Sequence, residues 1–253
     1  MSVSGKVYLV GAGPGAPDLL TLRAARLIER ADVLFHDALV HPEVIALARH
    51  AIVIPVGKRC GRHSTAQRFI NKRLVDAARE HAVVVRLKGG DPMLFGRAQE
   101  EIDALQAAGI DYEVVPGITA ALAASAHLGT SLTQRGSARS VAFVTPRIGE
   151  GHDPAEWVHP LIASDAGAIY MGVGQAAEIA QRLIGAGMSE RTPLVIVENA
   201  SLPDARRFYG TLASLPALGA REMRGPAIIL IGSQFVERVT GADAAFTTSA
   251  VAA

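Results

Sequence analysis

The sequence predicts an α/β protein of two domains, the first built on a mostly parallel sheet and the second on a mixed sheet. Three observations carry that expectation. Short apolar runs alternate with amphipathic segments from Val7 to His127, and glycine-rich loops follow the ends of those runs. Past Gly129, strand-like runs follow one another with few helices between them, a pattern suited to antiparallel pairs. A chain of 253 residues exceeds the usual size of one domain. We expect a first domain over residues 1–130, a second over 131–240 and a weakly patterned tail over 241–253.

Val7–Val10 is a β-branched run ending in the loop Gly11–Gly15, after which Pro17 and Asp18 fit a helix start. Val33–Phe35 reads as a strand ending at His36-Asp37, Pro42–Ala48 as a short helix and Ile52–Val56 as a strand. Gln67–Arg79 carries Ile70, Leu74, Val75 and Ala78 on one helical face. Val83–Leu87 is nearly all apolar, as a central parallel strand requires. Helices are expected over Gly96–Ala108 and Thr119–His127, with a strand at Tyr112–Val115 between them. In the second half, strands are expected at Val141–Thr145, Ala168–Met171, Leu194–Glu198, Arg207–Leu212 and Ala227–Ile231. One helix, Gln175–Ala186, stands out there, and Ile148–Pro160 reads as a mobile loop.

Composition narrows the function classes. The single cysteine, Cys60, excludes an intrachain disulfide framework and disfavours a cysteine-rich metal site, so no metal is expected. No stretch reaches the apolar length of a membrane span, and the N-terminal residues lack the pattern of a signal peptide. A cytoplasmic setting without membrane association is therefore expected. Net charge is +1, which argues against a dedicated nucleic-acid binder. The charge is uneven, however: Val56–Glu100 holds ten Lys and Arg against four acids, a local +6, leaving −5 elsewhere. Arg68, Lys72, Arg73 and Arg79 fit a solvated helix face. Lys58, Arg59, Arg62, Arg86, Lys88 and Arg97 flank glycine loops, where an anionic ligand would be met.

The glycine loops admit more than one reading. Gly11, Gly13 and Ala16, with Asp37 downstream, satisfy a loose dinucleotide pattern, which keeps a nicotinamide-dependent dehydrogenase open. Pro14 and Pro17 remove backbone donors that a pyrophosphate would use. A plain tight turn, or a turn beside an uncharged part of a cofactor, is the other reading. Gly89-Gly90-Asp91-Pro92 lets backbone approach a ligand with no Cβ in the way and sets a carboxylate there. Pro116-Gly117-Ile118-Thr119-Ala120 repeats that arrangement at the next strand end, with Thr119 either a ligand contact or a helix cap.

Together, VYLVGAGPG (Val7–Gly15), HDALV (His36–Val40), VGKRCGRHS (Val56–Ser64), VVRLKGGDPMLFGRAQEE (Val84–Glu101) and VVPGITAALAA (Val114–Ala124) resemble the tetrapyrrole methylase superfamily. Within it, they resemble the uroporphyrinogen-III C-methyltransferases. YMG (Tyr170–Gly172), TPLVIVENAS (Thr192–Ser201) and GPAIILIG (Gly225–Gly232) extend the match through the second half. The resemblance implies the two-domain tetrapyrrole methylase fold, a homodimer, and S-adenosyl-L-methionine held in a cleft between the domains. Cofactor positions carried over are Pro14, Gly89, Gly90, Asp91, Leu94, Thr119, Ala120, Met171, Ala200 and Ala227.

The implied reaction transfers two methyl groups to pyrrole carbons C2 and C7 of uroporphyrinogen III, giving precorrin-2 and S-adenosyl-L-homocysteine. Asp37 becomes a candidate proton acceptor and Lys58 a candidate donor. Alternatives for these two are a strand-end cap and a carboxylate clamp. A basic set of Arg59, Arg62, His63, Arg86, Lys88 and Arg97, with Arg135 and Arg139, would meet the substrate's carboxylates. The chain departs from the family pattern at Ala16, His36, Gln134 and Pro146, all on the expected substrate side, which keeps a methylase of a later corrinoid precursor open.

Overall fold

Alternation along the strands decides which side chains enter which layer. The computed structural model describes residues 5–56, 63–147 and 155–240. The chain divides into two compact units, Met1–Ala120 and Ala121–Ala253.

The first unit holds β1 (Lys6–Gly11), α1 (Leu22–Glu29), β2 (Val33–His36), α2 (Pro42–Ile45), β3 (Ile52–Pro55), α3 (His63–Glu80), β4 (Val83–Lys88), α4 (Ala98–Ala107) and β5 (Tyr112–Val115). Its strands form one sheet in the order β3-β2-β4-β1-β5. Every pairing is parallel, as the strand–helix alternation predicts. β4 is central. Val84 packs into a core with Leu74 and Ala78 of α3 and Ile102 and Leu105 of α4. Its neighbours Val85 and Leu87 join the opposite core with Ala24 and Ile28 of α1. Side chains alternate between faces, so Arg86 and Lys88 share the face of Val84 and point into the α3–α4 layer, where each is 2% exposed.

α5 (Ala120–Leu128) follows β5. The second unit continues with β6 (Val141–Val144), α6 (Val158–Ile162), β7 (Ala166–Tyr170), α7 (Ala176–Gly185), β8 (Pro193–Glu198), β9 (Arg206–Thr211), α8 (Leu215–Gly219) and β10 (Ala227–Gly232). The order is β6-β7-β10-β8-β9. Only β6–β7 is parallel; β10 runs antiparallel to β7 and β8, and β8 to β9. This is the mixed sheet the sequence predicts.

Three local expectations need correction. The helix expected from Pro17 is interrupted: Pro17–Leu19 is a single 3-10 turn, Leu20 and Thr21 are extended, and α1 starts at Leu22. Thr21 Oγ1 accepts from Ala24 N at 3.1 Å, a stronger cap than the proline turn provides. The described end of the expected loop Ile148–Pro160 is instead core. Trp157, Val158 and Leu161 are buried, and Pro160 falls in the first turn of α6, where a missing N–H costs little. Nor was α8 expected; only Leu215 and Leu218 of it enter the core. The tail over 241–253 lies outside the described residues.

Glycines that permit backbone contact behave differently from glycines in open helix. A Cβ on Gly117 would run into the Gly90 carbonyl oxygen, whereas one on Gly185 in α7 meets nothing within 4 Å. Gly117→Ala should therefore cost about 1–3 kcal/mol through overpacking, and Gly185→Ala should add up to about 1 kcal/mol. Urea-unfolding midpoints of the two variants check this, and equal midpoints would contradict it.

Candidate active site

The three glycine loops singled out in the first half close on one another at the C-terminal ends of adjacent strands β4, β1 and β5. A Cβ on Gly11 would stand 2.6 Å from Gly117 Cα and 2.8 Å from Gly90 O. Gly13 N donates to Gly90 O at 3.2 Å, and Gly90 N returns a bond to Gly13 O at 2.8 Å. Gly90 sits at φ +69°, a conformation that favours glycine. Asp91 then fastens the third loop. Its Oδ2 accepts from Gly117 N at 2.9 Å and its Oδ1 from Met93 N at 2.8 Å. Thr119 Cα lies 3.9 Å from where a Gly90 Cβ would stand, and Leu39 Cβ 3.3 Å from that of Gly89. The result is a floor of backbone, half-exposed at Gly89, Gly90 and Asp91, which a side chain would fill. Such a floor suits close approach by a flat or extended ligand; Pro14, Leu94 and Thr119 lie in the same loops, and Ala120 opens α5.

This geometry removes the dinucleotide reading. Ala12 N is bonded to Lys88 O at 2.7 Å and Gly13 N to Gly90 O, so these loop donors are engaged within the protein. The first long helix after the loop, α1, is separated from it by extended Leu20 and Thr21. No helix N-terminus directly follows the loop to receive a pyrophosphate.

Beside this floor runs a chain of buried charges. Glu101 of α4 is 0% exposed. Its Oε1 accepts from Arg86 Nε at 3.0 Å, Lys88 Nζ at 3.0 Å and Gln67 Nε2 at 3.3 Å, and its Oε2 from Lys88 Nζ at 2.9 Å. The far edge of the Arg86 guanidinium, Nη2, donates to Asp37 Oδ1 at 2.6 Å. Exposure falls along this line, from 32% for the Asp37 side chain to 3% for Arg86 and 0% for Glu101. Burial opposes the charge on Arg86, but Glu101 and Asp37 overcome that cost and hold the guanidinium above its ordinary value. Burial and the Arg86 charge pull Lys88 below its ordinary value, against the pull of Glu101 and Asp37.

Two sequence expectations therefore change. Arg86 and Lys88, expected to face an anionic ligand, are buried and engaged by Glu101. Arg97 is at the surface and pairs with Glu100, Nε to Oε1 at 2.7 Å; Arg135 and Arg139 are exposed. Lys58, Arg59 and Arg62 lie outside the described residues, and His63 is described only as the first residue of α3. Glu101 itself was missed. Its signal was present in the sequence, since Ala98, Glu101, Ile102 and Leu105 form one buried helical stripe.

In the second unit, Met171, Ala200 and Ala227 gather at one end of the mixed sheet. β10 pairs Ile228 with Tyr170 and Ala227 with Glu198, which sets the ends of β7 and β8 on either side of the start of β10. Met171 stands at φ +55°, and Asn199 and Ser201, either side of Ala200, at φ +50° and +78°. Left-handed backbone at three non-glycine residues marks a strained edge. Met171, 44% exposed, lines a cavity of about 360 Å³ with Ala227, Val173, Gly174, Arg221 and Met223. Buried Glu198 braces this edge by accepting from Arg206, from Arg224 N and, at 2.8 Å, from Gly225 N. Burial raises the Glu198 pKa, but these donors outweigh it and the group ends below its ordinary value of 4.5.

Among the described residues, no group of three or more His, Cys, Asp and Glu is placed to hold a metal. None of the described helices is long and apolar enough to cross a membrane.

The first unit is thus an α/β domain with a glycine floor at the ends of its parallel strands and an acid–arginine chain beside it. More narrowly, residues 6–216 match the family model described as Tetrapyrrole (Corrin/Porphyrin) Methylases, and the chain belongs to that family. Siroheme synthase of Psychrobacter cryohalolentis is 45% identical over 230 residues, covering 90% of this chain and 44% of that protein. That of Pseudomonas putida is 46% identical over 230 residues, 90% of this chain and 50% of that protein. The chain thus spans about half the length of the curated relatives it matches. A crystal structure of uroporphyrin-III C-methyl transferase from Thermus thermophilus, complexed with S-adenyl homocysteine, superposes with TM-score 0.78 at 41% identity, over 90% of this chain and 98% of that one. A cobalt precorrin-4 methyltransferase gives 0.79 at 29% identity, over 90% and 94%.

Asp91→Ala should cost about 1–3 kcal/mol, because Gly117 N and Met93 N lose their acceptor; chemical denaturation measures it, and an unchanged midpoint would contradict the fastening role. The Glu198 contribution has a defined pH window. Its folded pKa is depressed, so its stabilisation is complete above the unfolded value near 4.5 and is lost as pH falls through the folded value. The stability gap between wild type and Glu198→Gln should be largest at neutral pH and shrink in acid.

Proposed function

We propose that this chain is an S-adenosyl-L-methionine-dependent uroporphyrinogen-III C-methyltransferase that methylates C2 and C7 to give precorrin-2, acting as a homodimer. The observation that carries the reading is the backbone floor of Gly11, Gly90 and Gly117 with Asp37 held beside it by Arg86. Support comes from the relative at 41% identity whose crystals hold S-adenyl homocysteine.

When bound, the cofactor supplies a methyl group on a cationic sulfur, a ready electrophile for an electron-rich pyrrole carbon. The residues of this chain then have three tasks. Gly89, Gly90 and the 119–120 backbone admit the cofactor without side-chain interference, with Pro14, Asp91 and Leu94 shaping the same loops. Met171, Ala200 and Ala227 are assigned to cofactor contact in the second unit. Alignment and exclusion of water account for most of the acceleration in a reaction of this type.

Asp37 takes the proton released by the substrate, and its bond to Arg86 keeps the carboxylate oriented. Lys58 is assigned proton donation or carboxylate binding. With Arg86 and Lys88 engaged internally, the substrate's carboxylates are assigned to Arg59, Arg62, His63 and Arg97.

Incubation with uroporphyrinogen III and S-adenosyl-L-methionine should transfer two methyl groups per tetrapyrrole. No transfer, with turnover of a later corrinoid precursor instead, would overturn the substrate assignment. Asp37→Asn should bind S-adenosyl-L-homocysteine normally by calorimetry while kcat falls by about 10²–10⁴; normal turnover would remove Asp37 from the mechanism.

A further inference from the structure

We propose that Glu101, which touches neither substrate nor cofactor in this reading, is the positioning residue for Asp37 and acts through Arg86. The proposal rests on the assignment of Asp37 as proton acceptor. Glu101 is 0% exposed and sits on the buried stripe of α4, so its carboxylate is fixed by the core. Three donors converge on Oε1, from Arg86, Lys88 and Gln67, and Lys88 also holds Oε2. The carboxylate has no room to turn.

Arg86 transmits that fixity. Its Nε is bound to Glu101 at 3.0 Å, its Nη1 donates to Leu87 O at 3.2 Å, and its Nη2 reaches Asp37 at 2.6 Å. A guanidinium is a planar, rigid fork, so holding two of its edges fixes where the third points. Asp37 sits just beyond the end of β2, where its own N–H reaches Leu87 O only at 3.4 Å. The strong, short bond on its side chain therefore leads to the core through Arg86. Lys88 completes the charge balance: two cations, Arg86 and Lys88, face two carboxylates, Glu101 and Asp37. Removing Glu101 alone would leave buried positive charge in excess, a strongly destabilising change.

The test variant is Lys88→Met/Glu101→Leu, which removes the acceptor of Arg86 Nε and keeps Arg86 opposite Asp37 with the buried charge balanced. Thermal melting, the affinity for S-adenosyl-L-homocysteine and the KM for uroporphyrinogen III should stay near wild type, while kcat falls at least about tenfold through lost alignment. In an Asp37→Asn background, the same pair of changes should lower kcat no further, because the residue being positioned is gone. Wild-type kcat in Lys88→Met/Glu101→Leu would overturn the proposal, and so would a loss that adds to that of Asp37→Asn. Should the variant not fold, Glu101→Asp, which keeps the charge but withdraws the carboxylate from Arg86 Nε, is compared in the same two backgrounds with the same criteria. Asp37→Asn alone separates the two claims. Wild-type turnover there sinks the acceptor reading and this proposal together, whereas slow turnover with additive loss sinks only the role of Glu101.

Discussion

The contact among Gly11, Gly90 and Gly117 is the constraint on which the first unit's chemistry depends. Three parallel strands can end side by side in many proteins. Here their loops touch backbone to backbone, at distances where a single Cβ would collide with a neighbouring loop. That contact brings Gly89, Gly90, Asp91 and Thr119 to one surface. Asp91 is spent on holding the arrangement, with both carboxylate oxygens engaged by backbone N–H groups. An acid that the sequence offers as a ligand group is, in the folded chain, first a fastener.

A second layer of organisation lies beneath. β4 sets Val84, Arg86 and Lys88 on one face, and α4 answers with a buried glutamate in an otherwise apolar stripe. Two cations in a core would be prohibitively costly alone; here Glu101 accepts from both, and Asp37 accepts from Arg86. At its outer end this set holds the Asp37 carboxylate through Arg86. The mixed sheet uses a similar device, with buried Glu198 bracing a strained edge around Met171, Ala200 and Ala227.

Much of this was legible in the sequence. The strand–loop–helix alternation gave the parallel sheet, and the glycine loops gave the ends that matter, because both signals are local and carry a fixed period. The order of β4, β1 and β5 was not, since strand adjacency depends on long-range pairing. Arg86 and Lys88 were misplaced for a different reason. Their count and position beside a glycine loop suggest an anion site, whereas the period-two alternation with Val84 puts them in the α3–α4 layer. Trp157, Val158 and Leu161 hid behind Pro160, whose usual meaning as a breaker fails in a helix's first turn. α8 is too short to show a period.

In the proposed reaction, the glycine floor of the first unit seats the methyl donor. A crystal structure of this chain with S-adenosyl-L-homocysteine tests it most directly. Ligand density is expected against the backbone of Gly89, Gly90, Thr119 and Ala120, with the Asp91 to Gly117 bond intact. Density confined to another part of the chain, or an Asp91 carboxylate swung away from Gly117 to meet the ligand, would contradict it.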